Sequence, residues 1–395
     1  MNPMRRTSIL LVLLVLCVLI AAASWAARRD TNVVRLTLGS SIARSEARDC
    51  GHCHSTEFSL WVSHSHSRAL LDPKNDAAYI KGEFSSKGKG YKRFVEGVFT
   101  QADVVMAFGV TRTQVFWKKG EKGHELLPAL WNMARKRWEP LPPFLNEVRK
   151  SRVLWEDACA GCHSSGFDPA DDSYDAPAVS CRACHGDGEA HIASDGEDAI
   201  VRPSKLSASL KNDLCGVCHS RGIQVGGQHP FAVGYKPGMP LSEFFTTVKP
   251  VPGETTAEFW PDGTERKLNM QYLGFSASKH AEQELTCTTC HLPHGSDIKR
   301  GLKSNPEDLC TSCHKAKKIA SPVHDNHPKG RAGCVDCHMS TVNPGMKPFG
   351  ARTHTFKFLE PSNALKWKMP DSCTVSCHEG KHAKWAADLV EDWRR

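Results

Sequence analysis

Sixteen of the seventeen cysteines in this 395-residue chain fall into eight local pairs, and that spacing constrains the fold more than any other feature. The pairs are Cys50/Cys53, Cys159/Cys162, Cys181/Cys184, Cys215/Cys218, Cys287/Cys290, Cys310/Cys313, Cys334/Cys337 and Cys373/Cys377. Seven are C-x-x-C; the last has one residue more between its thiols. In every pair the next residue is histidine: His54, His163, His185, His219, His291, His314, His338 and His378. Histidine makes up 20 of 395 residues, so eight such neighbours would arise by chance on the order of once in ten billion trials. Zinc ribbons bring two pairs to one metal and do not require a histidine there. Disulfides suit an exported chain and do not require it either. Two thiols followed at once by an imidazole is what covalent haem attachment needs: two thioethers to the porphyrin and one axial ligand to iron. Cys373-Thr-Val-Ser-Cys377-His378 keeps both thiols and the imidazole across its longer loop, so eight covalent haem c groups are expected. The eight motif histidines are then the proximal axial ligands.

The N-terminus reads as an export signal over residues 1–26. Arg5 and Arg6 precede an apolar run from Ile9 to Ala23, and Ser24-Trp25-Ala26 is a small-x-small cleavage pattern. Cys17 lies within the run as an apolar filler. The alternative is an uncleaved anchor, at the short limit for a membrane span. Export agrees with thioether attachment, which takes place outside the cytoplasm. A periplasmic location is expected, with membrane-anchored and extracellular locations as alternatives. The formal charge of +8 falls to +6 without Arg5 and Arg6. Each ferric haem adds about −1, which brings the oxidised protein to roughly −2. The scattered Lys and Arg residues therefore read as partners for propionates, and no nucleic-acid partner is expected.

The mature chain offers only about 46 residues per haem, too few for a packed core around each, so the haems themselves are expected to form the core. The expected organisation is a first haem segment over 27–80, a haem-free β-containing segment over 81–156 and three haems over 157–220. A haem-free loop segment over 221–280, three haems over 281–340 and an eighth-haem segment over 341–395 follow. Gly97–Val110, Thr113–Trp117 and Leu126–Trp131 are rich in β-branched and aromatic residues around a Lys-Lys-Gly-Glu-Lys-Gly turn, which predicts a small antiparallel sheet. Trp385, Leu389, Val390 and Trp393 follow helical spacing, which predicts a terminal helix packed on the eighth haem. The fold class is thus mainly α with much irregular structure and a small antiparallel β element, a multihaem cytochrome c fold.

Twelve histidines remain outside the motifs, more than eight irons require as sixth ligands. Iron held by two imidazoles moves electrons, whereas iron with a vacant position can bind a substrate. The surplus favours closed sites.

Several stretches carry a family resemblance. Cys50-Gly-His-Cys-His54 is followed by Trp61, His66 and Ala69. Cys181-Arg-Ala-Cys-His-Gly-Asp-Gly-Glu-Ala-His191 and Cys215-Gly-Val-Cys-His-Ser-Arg-Gly come next. Then come Phe259-Trp-Pro-Asp-Gly, His280 before Cys287-Thr-Thr-Cys-His-Leu-Pro-His294, His327-Pro328 before Cys334, and His354-Thr-Phe before the last pair. The chain resembles the paired CxxCH, cytochrome c-554-like multihaem c-type cytochromes over nearly its whole mature length. The resemblance implies an exported electron-transfer protein and supports His66, His191, His280, His294, His327 and His354 as distal ligands. His229 and His382 complete the expected set. His64 is the alternative to His66, and His324 could replace or join His327; His52, inside an attachment loop, is not expected to ligate. The last motif departs from the family spacing, and the helical repeats that extend many relatives do not follow it.

Two functions compete. The first is an electron conduit between other redox proteins, either membrane quinol-oxidising components or outer-membrane conduit components, with no catalytic residue of its own. The alternative is an oxidoreductase acting on a small nitrogen or sulfur species at one open haem. The C-x-x-C-K marker of multihaem nitrite reductases is absent, and no context distinguishes any of Tyr79, Tyr91, Tyr174, Tyr235 and Tyr272 as a catalytic tyrosine. A non-catalytic electron-transfer protein is the favoured expectation. Intact mass spectrometry of the holoprotein should return the mature chain plus eight haems; seven would mean that the longer Cys373–Cys377 loop stays unloaded.

Overall fold

The computed structural model describes residues 49–315, 324, 326–327, 331–343 and 350–395. The export segment and the start of the first haem segment lie outside them. Among the described residues no helix is long and apolar enough to cross a membrane.

The attachment motifs form the recurrent local structure. In a C-x-x-C-H run a single helical turn places the histidine N–H against the carbonyl of the first cysteine. That bond is 2.8 Å from His54 to Cys50, 3.0 Å from His163 to Cys159, from His185 to Cys181 and from His291 to Cys287, and 2.9 Å from His314 to Cys310. The fourth and seventh motifs close the helices Ala208–His219 and Cys334–His338. The eighth motif answers the spacing question directly. His378 N–H donates to the Cys373 carbonyl at 3.0 Å, five residues back instead of four. The extra residue is absorbed as a wider turn of the i→i−5 kind, closed on the same two groups. Asp371 primes it, accepting the N–H groups of Cys373 and Thr374 at 2.9 Å each. Helices that carry motifs are capped in the ordinary way. Ser207 Oγ accepts Leu210 N–H at 3.3 Å, and Asn305 Oδ1 accepts Asp308 N–H at 3.0 Å with Pro306 in the first turn.

The motifs differ in how far the polypeptide covers their thiols. Cys53 and Cys313 are exposed, and so is Cys377, while their partners Cys50, Cys310 and Cys373 are half-buried. The reason is local. Cys53 lies in an exposed run from His52 to Glu57, and Cys313 in another from Thr311 to Lys315. Cys377 opens a third that continues to His382. A single turn points its two thiols in different directions, so at the molecular edge one of them faces packed chain and the other faces water.

The expected sheet is present as four antiparallel strands in sequence order, β1 (Met106–Phe108), β2 (Thr113–Lys119), β3 (His124–Asn132) and β4 (Arg137–Pro140). The expected first strand, Gly97–Val110, is cut short because Gln101–Asp103 makes a 3-10 turn, with Thr100 N–H donating to the Asp103 carboxylate at 2.6 Å. β4 was not expected from the sequence. Both faces of the sheet are covered. One, with Met106, Val115, Trp117, Leu126 and Leu130, packs against Cys159 and Cys162 of the second motif. The other, with Ala107, Phe116, Leu127, Ala129, Trp131 and Trp138, packs against Val95 and Phe99. Pairing slips between Val115–Leu130 and Trp117–Leu126. Pro128, which has no N–H to offer a ladder, falls within that slip.

Elsewhere the strands are brief: β5 (Ser164–Ser165) pairs with β6 (Ala176–Pro177), and β7 (Gly222–Gln224) pairs with β8 (Phe245–Thr247). The expected terminal helix runs Ala383–Arg394. Its buried residues are Ala386 and Val390, and Arg394 reaches Glu360 at 2.7 Å, tying it to the helix Pro361–Trp367.

Trp138 is the keystone of the outer aromatic cluster. Its ring lies 5.0 Å from Phe84, 5.3 Å from Phe116, 5.5 Å from Trp131 and 5.7 Å from Phe99, and its indole N–H donates to the Glu83 carbonyl at 2.8 Å. Trp138→Ala should lower stability by about 3–5 kcal/mol in chemical denaturation. The visible spectrum of the folded protein should stay unchanged, because this cluster is on the far side of the sheet from the second motif.

Candidate haem centres

Each motif turn holds its cysteines and histidine by local hydrogen bonding, but the second imidazole must come from elsewhere in the chain. A metal–imidazole bond is about 2 Å, so two imidazoles sharing one metal have ring centres about 6 Å apart. Five motif histidines have a second imidazole at that separation. His54 and His191 are 6.5 Å apart and nearly parallel, at 17°. His66 and His219 are 6.5 Å apart, His185 and His294 6.2 Å, His280 and His314 6.0 Å, and His324 and His338 6.1 Å.

Exposure of a thiol does not break this pattern. The motifs of Cys53 and Cys313, with their exposed second thiols, still have His54 and His314 each facing a second imidazole. Cys313 Sγ accepts a weak hydrogen bond from Ser312 Oγ at 3.7 Å. The eighth motif is exposed at Cys377 and His378 and has Trp385 against the ring instead.

Hydrogen bonds on the other ring nitrogen set these imidazoles up as ligands. Nδ1 of His185 meets the Val201 carbonyl at 2.9 Å, His191 meets Asp198 at 2.8 Å, and His338 meets Phe356 at 3.3 Å. His163 meets Ala69 at 2.6 Å and His291 meets Arg300 at 3.1 Å. A carbonyl can only accept, so Nδ1 carries the proton and Nε2 keeps its lone pair. Burial also favours the neutral ring. It pushes His66 down to about 4, with His64 and His219 adding to the effect, and His354 down to about 4, with His291 and His219 adding.

The expected distal residues therefore divide. His66, His191, His280 and His294 each face a motif imidazole. His324, the alternative, lies across from His338, while His327 meets the edge of Trp393 at 6.2 Å. His354 is half-buried near His291, and so is His64, whose pKa is lowered first by burial and then by His291. His229 packs on Phe231 at 5.2 Å, and His382 is exposed at the start of the last helix. His378 packs on Trp385 at 5.0 Å, and His163 packs on Phe108 at 4.5 Å. His124 is taken by Glu156 at 2.5 Å.

The donor chemistry fits haem better than zinc. Among the described residues no three His, Cys, Asp or Glu side chains converge as a metal cage, and none of the sixteen motif cysteines is in a disulfide. Burial pushes the Cys159 and Cys373 thiols up to about 12 and Cys184 up to about 11. Zinc takes thiolates, whereas thioethers carry no charge. Buried donors also lack partners: Nε1 of Trp117 and of Trp155, both in the cluster that holds Cys159 and Cys162, and Nδ1 of His280. Such groups are costly unless something accepts from them, and a propionate-bearing cofactor supplies acceptors.

Neighbouring motifs share struts. Trp61 and Phe58, after the first motif, pack on Cys181 of the third. Asn212, in the helix of the fourth, accepts Cys287 N–H of the fifth at 2.9 Å. Ser372, beside the eighth, donates to the Cys337 carbonyl of the seventh at 2.7 Å.

Comparison with known proteins agrees with haem attachment at the cysteine motifs. The family model described as a doubled CXXCH motif matches residues 280–319, which hold the fifth and sixth motifs. The outer cell wall cytochrome OcwA has the same fold, with a TM-score of 0.71 at 22% identity over 88% of this chain and 86% of that one. The chain is a multihaem c-type cytochrome. It is 28% identical over 240 residues to the multiheme cytochrome MtrA of Shewanella baltica (strain OS185), a match covering 57% of the cytochrome and 53% of that relative. The chain thus spans about half the length of the curated relative it matches. An undecaheme cytochrome from the S-layer of Carboxydothermus ferrireducens superposes with a TM-score of 0.50 at 17% identity, over 90% of this chain and 60% of that one.

Dialysis against a strong chelator should leave the visible spectrum and the unfolding midpoint unchanged, because thioether-linked iron porphyrin does not exchange. Loss of stability would reveal an exchangeable metal in the cysteine pairs.

Proposed function

We propose that this cytochrome is an exported octahaem electron conduit, passing electrons between redox partners through closely packed haems that are mostly held between two histidines. The carrying observation is the set of five imidazole pairs at 6.0–6.5 Å. Haem iron closed by two imidazoles exchanges electrons without binding substrate. The protein's part is to fix the pairs, exclude water from them and hold the sites next to one another. His54, His66 and the other paired histidines do the first. The shared struts between motifs support the last.

In this reading the ligands are Cys50/Cys53 through Cys373/Cys377, the eight motif histidines, and His191, His66, His294, His280 and His324 as five of the sixth ligands. His64 or His354 serves His291, and His327 or His382 serves His378. The haem segments 27–80, 157–220, 281–340 and 341–395 are separated by 81–156 and 221–280, and residues 1–26 direct export. The similar structures carry cell-wall and S-layer names, which supports an envelope location and partners that are themselves redox proteins. The alternative, an oxidoreductase working at one open haem, has one observation in its favour: among the described residues, which include all twenty histidines, none faces His163.

Protein-film voltammetry tests the conduit. The charge passed per adsorbed molecule should equal the haem count from intact mass, since electrons entering at one end reach every site. Charge for one or two haems would mean that the sites are not in contact.

A further inference from the structure

We propose that the haem-free sheet segment is an anchoring surface, and that its basic outer edge binds a linear phosphodiester polymer of the cell envelope. The proposal rests on the envelope location read above and adds a partner that carries no redox centre.

Charge is divided unevenly along the chain. Residues 81–156 hold fifteen Lys and Arg against eight Asp and Glu, which is +7 of the formal +8. Outside them and residues 1–26 the chain sums to −1, and each haem adds about −1 more. The excess cations therefore lie in the segment that has no attachment motif. All fifteen are exposed.

Folding gathers six of them at one edge of the sheet. Lys89 lies across from Arg137 in a parallel β-bridge, and its carbonyl accepts Trp138 N–H at 2.8 Å. Gly90 follows with a φ of +81°, where a side chain would strike the Trp138 carbonyl. The helix Tyr91–Phe94 starts there and carries Lys92 and Arg93. Arg135 and Lys136 form the turn between β3 and β4, where Asn132 Oδ1 accepts Arg135 N–H at 3.0 Å. The six stems thus stand on backbone fixed around Trp138, and the cluster beneath them contains no motif residue. Cys159 and Cys162 pack on the opposite face, so these cations are not placed to pair with propionates of the second haem.

Little acid answers them. Glu139 takes Arg135 at 3.0 Å and Arg137 at 2.7 Å, each through a single nitrogen, which leaves their other N–H groups for an oxyanion. Lys89, Lys92, Arg93 and Lys136 are in no ion pair among the described residues. Their mutual repulsion is a cost to the fold that a bound polyanion relieves. Edge charges can also deter strand pairing, but Lys89 already bridges the free side of β4.

The surface selects the ligand class. Val98 is the one large apolar side chain strongly exposed among residues 81–156. A protein partner needs aromatic or aliphatic anchors at the centre of its interface, whereas a phosphodiester chain is held by ammonium and guanidinium groups alone. No aromatic ring of the segment is exposed, so there is no platform on which bases could stack.

The test measures binding of the full holoprotein to immobilised poly(glycerol phosphate) across a salt series. The logarithm of affinity should fall linearly with the logarithm of salt, with a slope of about −4 for six engaged cations. The variant Lys92→Gln/Arg93→Gln/Lys136→Gln should bind about tenfold more weakly at low salt and flatten the slope by about 2. Its visible spectrum should be unaltered and its low-salt unfolding midpoint should not fall. Lys205→Gln/Lys249→Gln/Lys366→Gln, an equal change of charge outside the segment, should bind as the unaltered protein does. The proposal is overturned if the unaltered protein does not bind at low salt or if the first variant binds undiminished. Tighter binding to single-stranded DNA or to anionic phospholipid vesicles at equal phosphate would also overturn it. So would self-association lost in the first variant without any polymer binding, which would assign the edge to a second copy. Film voltammetry keeps the two readings apart: charge for every haem without polymer binding sinks this inference alone.

Discussion

A C-x-x-C-H turn supplies one imidazole and no more, and the rest of the structure follows from where the second one comes from. The turn is local: a single helical hydrogen bond from the histidine N–H to the first cysteine carbonyl fixes thiols and ring together. The opposing ring arrives from another segment, and for His54, His66 and His185 that segment is remote in sequence. On the proposed reading each pair is a long-range cross-link through a metal. Cross-links of this kind shrink the conformational freedom of the unfolded chain and reduce the need for extended helices and sheets. The described helices reach only 12 residues, which is consistent with cofactors carrying the packing that longer elements would otherwise provide.

Residues 81–156 obey a different rule. There β2 is buried on both faces, aromatic rings pack edge to face around Trp138, and the core is built from side chains alone. The second motif is inserted into the inner face of this core. The molecule thus combines two kinds of interior, one organised by paired imidazoles and one by ordinary apolar burial, and His163 stands where they meet.

The proximal half of each centre was legible in the sequence because adjacency in the chain is adjacency in space. Even the eighth motif, with its longer loop, closes on the same two groups, as Asp371 and the wider turn allow. How deeply each motif sits was not legible. Cys53 and Cys313 carry the same local pattern as the half-buried Cys162 and Cys184, yet they are exposed, because burial depends on what the rest of the chain lays over the turn. The sheet was legible from its β-branched and aromatic runs, while β4 was not, since Arg-Trp-Glu-Pro is too short and too polar to signal a strand. Where a family pattern pointed to an opposing imidazole, at His66, His191, His280 and His294, the structure sets that ring across from a motif histidine. His324 and His327 lie three residues apart with equivalent local context, and tertiary placement decides which of them faces His338. His229 packs on Phe231. No local propensity encodes a contact between segments this far apart.

The most direct test is an anomalous-scattering map at the iron edge from crystals of the holoprotein. Eight iron peaks are expected, five of them midway between His54 and His191, His66 and His219, His185 and His294, His280 and His314, and His324 and His338. Iron lying off those axes, or density for a metal between cysteine pairs instead, would contradict the paired-imidazole architecture.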